Sequence, residues 1–416
     1  MNMGSGIMVH RSEVKDLEKI RGWILLFGRR KVGKTYMIRN FMKYDGYYYV
    51  RIDGSVRFEG RSGVRVYDVL NDFVRSVRRM LNMHKTVVID EFQRLPLTVL
   101  EDIASVHPRG RLILSGSSLR VVNKVLSRKS PLLGLVYPYK LGVLKATDVL
   151  IALCEFLDAE RAVEVAPYLR DPWTIPMFSD NFMKALFRAV PYIVPGLVGE
   201  IFTAEEREMT RTYSSILSMI GCGVSDYHEI ASTLYGRGLI KRADTSLVIP
   251  YIKNLEGMGL VEGIRAYGKK RYYYKLISEP MILYYYMASR YDIDNREVSI
   301  DEVMPTITNV RNLAIENFIA DFFAEVLGGR KEMIKERDRE IDILITVRNK
   351  PVLVGEVKWG RYTKQDISDF LDKVEDFACR KIFFAKKRID YDGVDVLTPK
   401  DLIEIAKNFK ARTSGG

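Results

Sequence analysis

One stretch, WILLFGRRKVGKTY at residues 23–36, limits what this chain can become more than any other. Trp23 to Phe27 form an apolar run of the length and composition of a buried strand. Gly28 to Thr35 then fit the spacing G-x-x-x-x-G-K-[ST], and a helical pattern follows. A strand, a glycine-rich loop and a helix in that order imply an α/β domain on a parallel sheet. Glycines let such a loop turn tightly and approach phosphates closely, and its successive N–H groups point at the β-phosphate, aided by the positive end of the next helix. In this reading Gly28, Arg29, Arg30, Lys31, Val32, Gly33, Lys34, Thr35 and Tyr36 bind a nucleotide. Lys34 neutralises the β- and γ-phosphates, and the Thr35 hydroxyl holds Mg²⁺. The bland alternative is a glycine turn that fits by chance, which the flanking strand and helix patterns disfavour.

Residues 86–93, TVVIDEFQ, are an apolar strand ending in two carboxylates. Asp90 at its tip is expected in the Mg²⁺ shell, and Glu91 is expected to orient or deprotonate the attacking water. Solvated acids at a strand end are the alternative. A third strand, starting at Arg111, ends in a cluster that includes Ser115, Ser117 and Ser118. Ser117 is the candidate for sensing the γ-phosphate, although such clusters are often only turns. Between loop and carboxylates, Tyr47 to Ile52 read as a further strand, which suits ATPases with a catalytic glutamate beside the second motif.

At 416 residues, with 47% hydrophobic residues, the chain has material for about two to four domains. No unbroken apolar run reaches the roughly 18 residues of a membrane span. The first residues lack a basic stretch followed by an apolar one, so no signal peptide is expected. Three scattered cysteines (Cys154, Cys222, Cys379) and four histidines give neither a disulfide framework nor a zinc spacing. The expected location is the cytoplasm, without a membrane. Glutamine occurs only at Gln93 and Gln365 while charged residues abound, a composition of heat-adapted proteins. A net charge of +12 favours a polyanionic partner such as DNA, against the alternative of a generally basic surface.

Four parts follow in order: a nucleotide-binding core over residues 1–146, a helical lid over 147–203, a winged helix-turn-helix over 204–278 and an endonuclease-like α/β domain over 279–416. A helical pattern from Asp16 to Ile20 precedes the first strand and can help hold adenine. The lid pattern is broken by Pro167, Pro172, Pro176, Pro191 and Pro195. Three helical patterns (209–220, 225–234, 245–256) and two strands about the turn 267–270 make the winged unit. Its wing would touch DNA phosphates through Lys269, Lys270 and Arg271, unless the unit serves only to pack against its neighbours. Tyr272 to Tyr274 and Tyr284 to Tyr286 read as core aromatics ahead of base-stacking ones.

The last hundred or so residues carry a second constellation. Asp342 lies near the start of one strand, and Glu356 and Lys358 lie on the next, two apart and so on one face, with Val357 toward the core. Asp342 and Glu356, joined by Glu316 from an apolar helix, would hold one or two Mg²⁺, and Lys358 would help deprotonate water or balance charge. A charged hairpin with a surface lysine is the alternative.

With GRRKVGKT, VVIDEFQ, LILSGSS, the winged block and EIDIL…VGEVKW in place, the chain resembles the archaeal P-loop ATPases of the STAND/AAA-related group. These carry a winged helix and a C-terminal restriction-endonuclease-like domain, and the resemblance covers almost the whole chain. It implies a P-loop NTPase core, ATP/ADP and Mg²⁺ as cofactors, ATPase roles for Lys34, Thr35, Asp90 and Glu91, and nuclease-like roles for Glu316, Asp342, Glu356 and Lys358. Two departures stand out. Leu135 occupies a position where the family often has an arginine, which leaves a transition-state arginine to Arg128 or a partner; and residues 188–191, RAVP, replace a double-glycine turn. The expected function is ATP binding and hydrolysis in association with DNA, with metal-dependent cleavage by the last domain. The alternative is a nucleotide-dependent switch that binds DNA, a protein partner or itself without cutting.

Overall fold

The computed structural model describes residues 6–60, 63–117, 122, 125–128, 130–205, 207, 209–336 and 339–414. The first part runs α1 (Glu13–Lys19), β1 (Trp23–Phe27), α2 (Lys34–Phe41), β2 (Gly46–Val50), β3 (Val56–Gly60), β4 (Gly63–Tyr67), α3 (Leu70–Asn82), β5 (Thr86–Asp90), α4 (Leu97–Ala104), β6 (Arg111–Gly116) and β7 (Val136–Lys140). These strands form one sheet in the order β4-β3-β2-β5-β6-β1-β7. All of β1 is buried, with Trp23, Leu25 and Phe27 in the core on one face and Ile24 and Leu26 in the core on the other. A strand covered on both faces must be apolar at every position, which is why its sequence shows no alternation.

From β2 to β7 the sheet is parallel, as the sequence implies. It is nevertheless a mixed sheet, because β3 and β4 add to its β2 edge in antiparallel fashion. The turn into β3 closes through Arg51 N to Ser55 O, 2.9 Å, with Gly54 at φ 85°. Asp53 with Gly54 is the local turn signal that reading 47–52 as a lone strand passed over.

The helical stretch comprises α5 (Ala146–Leu153), α6 (Ala159–Leu169), a 3₁₀ turn (Pro172–Met177) and α7 (Phe182–Ala204). Pro172 and Pro176 lie in the 3₁₀ turn that separates α6 from α7, whereas Pro167 lies inside α6, and Pro191 and Pro195 lie inside the 23-residue α7. Each proline removes one backbone donor, and the buried stripe of α7 (Leu186, Val190, Val194, Leu197, Val198, Ile201) supplies the packing that holds the helix regardless. By length and composition α7 is apolar enough to cross a membrane, although Lys184, Arg188 and Glu200 keep its apolar run from being unbroken. Here that stripe belongs to the protein's core.

Next come α8 (Arg211–Gly221), α9 (Tyr227–Gly236), α10 (Thr245–Gly257), β8 (Val261–Ala266) and β9 (Tyr272–Leu276). Thr210, Asp226 and Asp244 cap the three helices through their side-chain oxygens. The chain ends with α11 (Glu279–Tyr291), α12 (Ile300–Leu327), β10 (Arg330–Lys335), β11 (Glu340–Val347), β12 (Lys350–Lys358), α13 (Lys364–Lys373), β13 (Arg380–Ala385), β14 (Asp395–Leu397) and α14 (Pro399–Ser414). The hairpin β8–β9 does not stand alone. It joins the later strands in one sheet, order β14-β13-β12-β11-β10-β8-β9, through parallel pairs Glu332–Arg265 and Met333–Ala266. One apolar core runs from Ile7 and Val9 through the helices to Ile343, Leu353 and Ala406. Tyr284 and Tyr285 are buried in it.

Candidate functional site

Register fixes the site's frame. Leu26 of β1 and Asp90 of β5 both pair with Ser115 of β6, so the glycine loop and the acidic strand tip emerge at the same edge, one strand apart. Gly28 is required by packing as well as by ligand approach. A Cβ there would lie 2.1 Å from Leu141 O, whose own N–H donates to Phe27 O at 2.7 Å. Gly33, at φ 85°, caps α2 and leads into Lys34 and Thr35 in its first turn. The Lys34 ammonium donates to Gly28 O (2.8 Å) and Arg29 O (3.0 Å). Burial pushes its pKa down to about 8, with Glu91 and Asp90 opposing, so it remains charged at neutral pH.

Asp90 is fully buried. Its Oδ2 accepts from Thr35 Oγ1 (2.7 Å) and from Tyr47 OH (2.7 Å), and its Oδ1 from Glu91 N (3.0 Å). Burial, then Asp90, pushes the Tyr47 phenol far above its ordinary value, so it stays a donor. Glu91 sits in the left-handed region at φ 58°, an uncommon place for a non-glycine residue. Its Oε2 accepts from Gln93 Nε2 (2.8 Å) and pairs with Arg94 (3.3 Å). Gln93 Nε2 also donates to Ser117 Oγ (3.2 Å), which ties Ser117 to Glu91; Ser118 lies outside the described residues.

A cavity of about 790 Å³ opens over the loop, and Lys34, Thr35, Glu91 and Ser117 lie on its wall. The apolar side of that wall includes Ile7, Val9, Phe41, Trp173 and Ile175. The residues ahead of α1, rather than α1 itself, thus line the space beside the loop. Arg11 locks the loop from behind by donating to Val32 O (2.7 Å) and Gly142 O (2.9 Å). Arg29 turns away from the cavity into a buried ion pair with Asp171 (2.5 Å), which also accepts from Ser278 Oγ (2.7 Å). Loop, helical stretch and the cap of α11 therefore meet at one carboxylate. The Thr35 hydroxyl and the two carboxylates are hard oxygen donors, which fits Mg²⁺ carried with a nucleotide. Arg128 is exposed.

Sequence reasoning missed Tyr47, Arg11 and Asp171, which reach the site through space from other elements, and Gln93 and Arg94, which follow Glu91 closely in the chain. The scarcity of glutamine was the one available hint at Gln93.

In the C-terminal sheet, the pair Ile343–Gly355 puts Asp342 opposite Glu356. Asp342 Oδ2 accepts from Val357 N (2.9 Å), and Lys358 pairs with Glu356 (2.7 Å). Val357 is buried in the core, as alternation requires. Burial, then the neighbouring acids, pushes Glu316 up to about 8 and Asp342 up to about 6. Among the described residues no three acidic, histidine or cysteine side chains gather as metal ligands, so Glu316, Asp342 and Glu356 share a field without forming a ligand set.

At the hairpin turn, Lys269 pairs with Glu336 and Arg271 with Asp226 (2.6 Å), its guanidinium lying 5.1 Å from the Tyr273 ring. Lys270 is exposed. Pairing of β8 with β10 brings the turn near Glu336, which pairs with Lys269.

Residues 21–149 match a family model described as an AAA domain. The search of curated proteins finds no match. Among solved structures, the ORC2 protein of Aeropyrum pernix, in ADPNP–ADP complexes, is 12% identical with a TM-score of 0.40; the alignment covers 74% of this chain and 96% of that one. The ORC1 protein of Aeropyrum pernix in complex with DNA is 14% identical with a TM-score of 0.30, covering 69% and 94%. A signal transduction ATPase with numerous domains and a tetratricopeptide repeat sensor, from Pyrococcus horikoshii, is 15% identical with a TM-score of 0.29, covering 75% and 48%. The glycine loop, the paired carboxylates and the match to the AAA domain model coincide in residues 21–149.

Proposed function

We propose that the chain binds and hydrolyses ATP in association with DNA, and that the helices following the core read its nucleotide state. The observation that carries the ATPase reading is the Thr35–Asp90 bond of 2.7 Å, with Lys34 and Glu91 on the wall of the same cavity. Lys34 exchanges its bonds to Gly28 O and Arg29 O for the β- and γ-phosphates. Glu91 takes the proton of the water that attacks the γ-phosphorus as the bond to the bridging oxygen breaks. Mg²⁺, when bound with the nucleotide, supplies charge neutralisation on the phosphates. Thr35 and Asp90 are the residues to hold it. In steady-state assays, Glu91→Gln should keep ATP binding and lose turnover by about 10²- to 10⁴-fold, whereas Lys34→Ala should lose binding. Wild-type turnover in both variants would sink the reading.

Support for DNA association is the net charge of +12 and the exposed Lys270 on the hairpin of a helical unit that suits a winged helix over 204–278. For the last part, residues 279–416, two readings stand. The opposed Asp342 and Glu356 with Lys358 support an endonuclease-like domain that cuts. The absence of a gathered ligand set among the described residues, with Glu356 already paired to Lys358, favours the same domain as a binding module within a nucleotide-dependent switch. Single-stranded, duplex and branched DNA with Mg²⁺ or Mn²⁺, with and without ATP, separates them: cutting lost in Asp342→Ala establishes the nuclease, and intact substrates throughout leave the switch.

A further inference from the structure

We propose that strand β2 positions both carboxylates of the nucleotide site, Asp90 directly through the Tyr47 hydroxyl and Glu91 indirectly through Arg94. The inference rests on the ATPase reading and adds residues to it that no sequence motif marks. Asp90 is fully buried, and among the described residues no lysine or arginine forms an ion pair with it. Its charge is carried by three donors: Thr35 Oγ1, Tyr47 OH and Glu91 N. A buried carboxylate depends on each such donor. Thr35 is also the hydroxyl offered to the metal and nucleotide, so Tyr47 is the side-chain donor that belongs to Asp90 alone.

Geometry explains how one strand does this. β2 runs parallel to β5, with Tyr47 paired to Val88 and Tyr49 to Asp90. Alternation then sends Tyr47 and Tyr49 to one face and Tyr48 to the other. Tyr48 packs on Phe58 and Phe73 at ring distances of 4.8 and 5.3 Å. Tyr47 is held from its flanks by the Tyr44 ring (5.7 Å) and the Arg39 guanidinium (5.2 Å). Further along, Val50 O accepts from Arg94 Nη1 (2.6 Å), and the Arg94 guanidinium lies 5.7 Å from the Tyr49 ring. Arg94 in turn holds Glu91 Oε2 at 3.3 Å. The second residue of the strand, Tyr47, thus fixes the acid at the end of β5, and the last two, Tyr49 and Val50, fix the acid that follows it.

The test uses the full chain with Tyr47→Phe, Tyr48→Phe and Arg94→Met. Affinity for a fluorescent ADP is measured with and without Mg²⁺, alongside kcat, KM and thermal melting. For Tyr47→Phe the metal-free affinity should stay at the wild-type value, while the strengthening of ADP binding by Mg²⁺ should drop about tenfold. Tyr48→Phe, on the opposite face, should leave that strengthening unchanged. Equal losses in the two tyrosine variants, or equal losses with and without Mg²⁺, would reduce Tyr47 to a structural residue and overturn its role. Arg94→Met should lower kcat about tenfold at unchanged KM and unchanged ADP affinity, with partial recovery in Arg94→Lys. A kcat at or above wild type would overturn the Glu91 arm. Wild-type chain that binds ADP without turning over ATP would end the ATPase reading, yet the Mg²⁺ dependence of ADP binding would still decide the role of Tyr47.

Discussion

At the scale of single residues, the glycine loop serves packing and ligand at once. Gly28→Ala would push a methyl against Leu141 O, an atom held by the strand pairing around Phe27. Thermal denaturation should show a loss of roughly 1–3 kcal/mol, and nucleotide affinity should fall with it. An unshifted melting curve would mean that β7 yields more easily than its hydrogen bonds imply. Lys34, Thr35, Asp90 and Glu91 were legible in the sequence because their spacing along the chain is itself the signal. Tyr47 and Asp171 were not, since each reaches the site from an element set beside the loop by tertiary structure. Glu279 is another residue that only packing reveals. It is buried between Arg170, Lys275 of β9 and Asp321 and Asn317 of α12, and its Oε2 has no hydrogen-bond partner. Burial pushes its carboxyl up to about 7 from 4.5. A folded-state pKa above the unfolded value gives stability that is full below pH 4.5 and is lost as pH rises to about 7. Glu279→Gln should therefore match wild type in urea denaturation near pH 4.5 and exceed it at pH 8, by up to roughly 3 kcal/mol.

At the scale of elements, periodicity located the strands of the site and most helices, and failed where context overrides local rules. Prolines at 191 and 195 read as breaks, yet α7 runs through both because its buried stripe outweighs two missing donors. The hairpin β8–β9 read as a wing for DNA phosphates or, alternatively, as a packing element; backbone pairing with β10 and the Lys269–Glu336 bridge join it to the neighbouring strands. No local pattern could announce a pairing partner more than sixty residues away. The consequence for DNA binding is specific to the side chains. Lys270→Ala should weaken binding across sequences and reduce the slope of log affinity against log salt by about one. Lys269→Ala should change the slope less, because Glu336 already neutralises that ammonium. Equal slopes for both variants would show that the bridge opens on binding.

At the scale of the whole molecule, the buried pair Arg29–Asp171, extended to Ser278, is where the nucleotide loop touches the helices and the start of α11. Nucleotide on the loop acts within one residue of this pair. Asp171→Leu alone would strand a buried guanidinium and should cost about 3–5 kcal/mol in thermal denaturation. The double variant with Arg29→Met should recover most of that loss, and failure to recover would show that Asp171 acts mainly through Ser278.

The shared sheet has a further meaning for how the chain can be divided. Cutting after residue 278 would strip β10 from β8 and leave a row of backbone donors and acceptors facing water. It would also uncover the apolar side of α11's partners, which now lie in a core continuous to Ala406. Open strand edges beside bare apolar surface recruit one another. A shortened chain of this kind should gather into large, light-scattering particles, while the intact one keeps its edge spent internally.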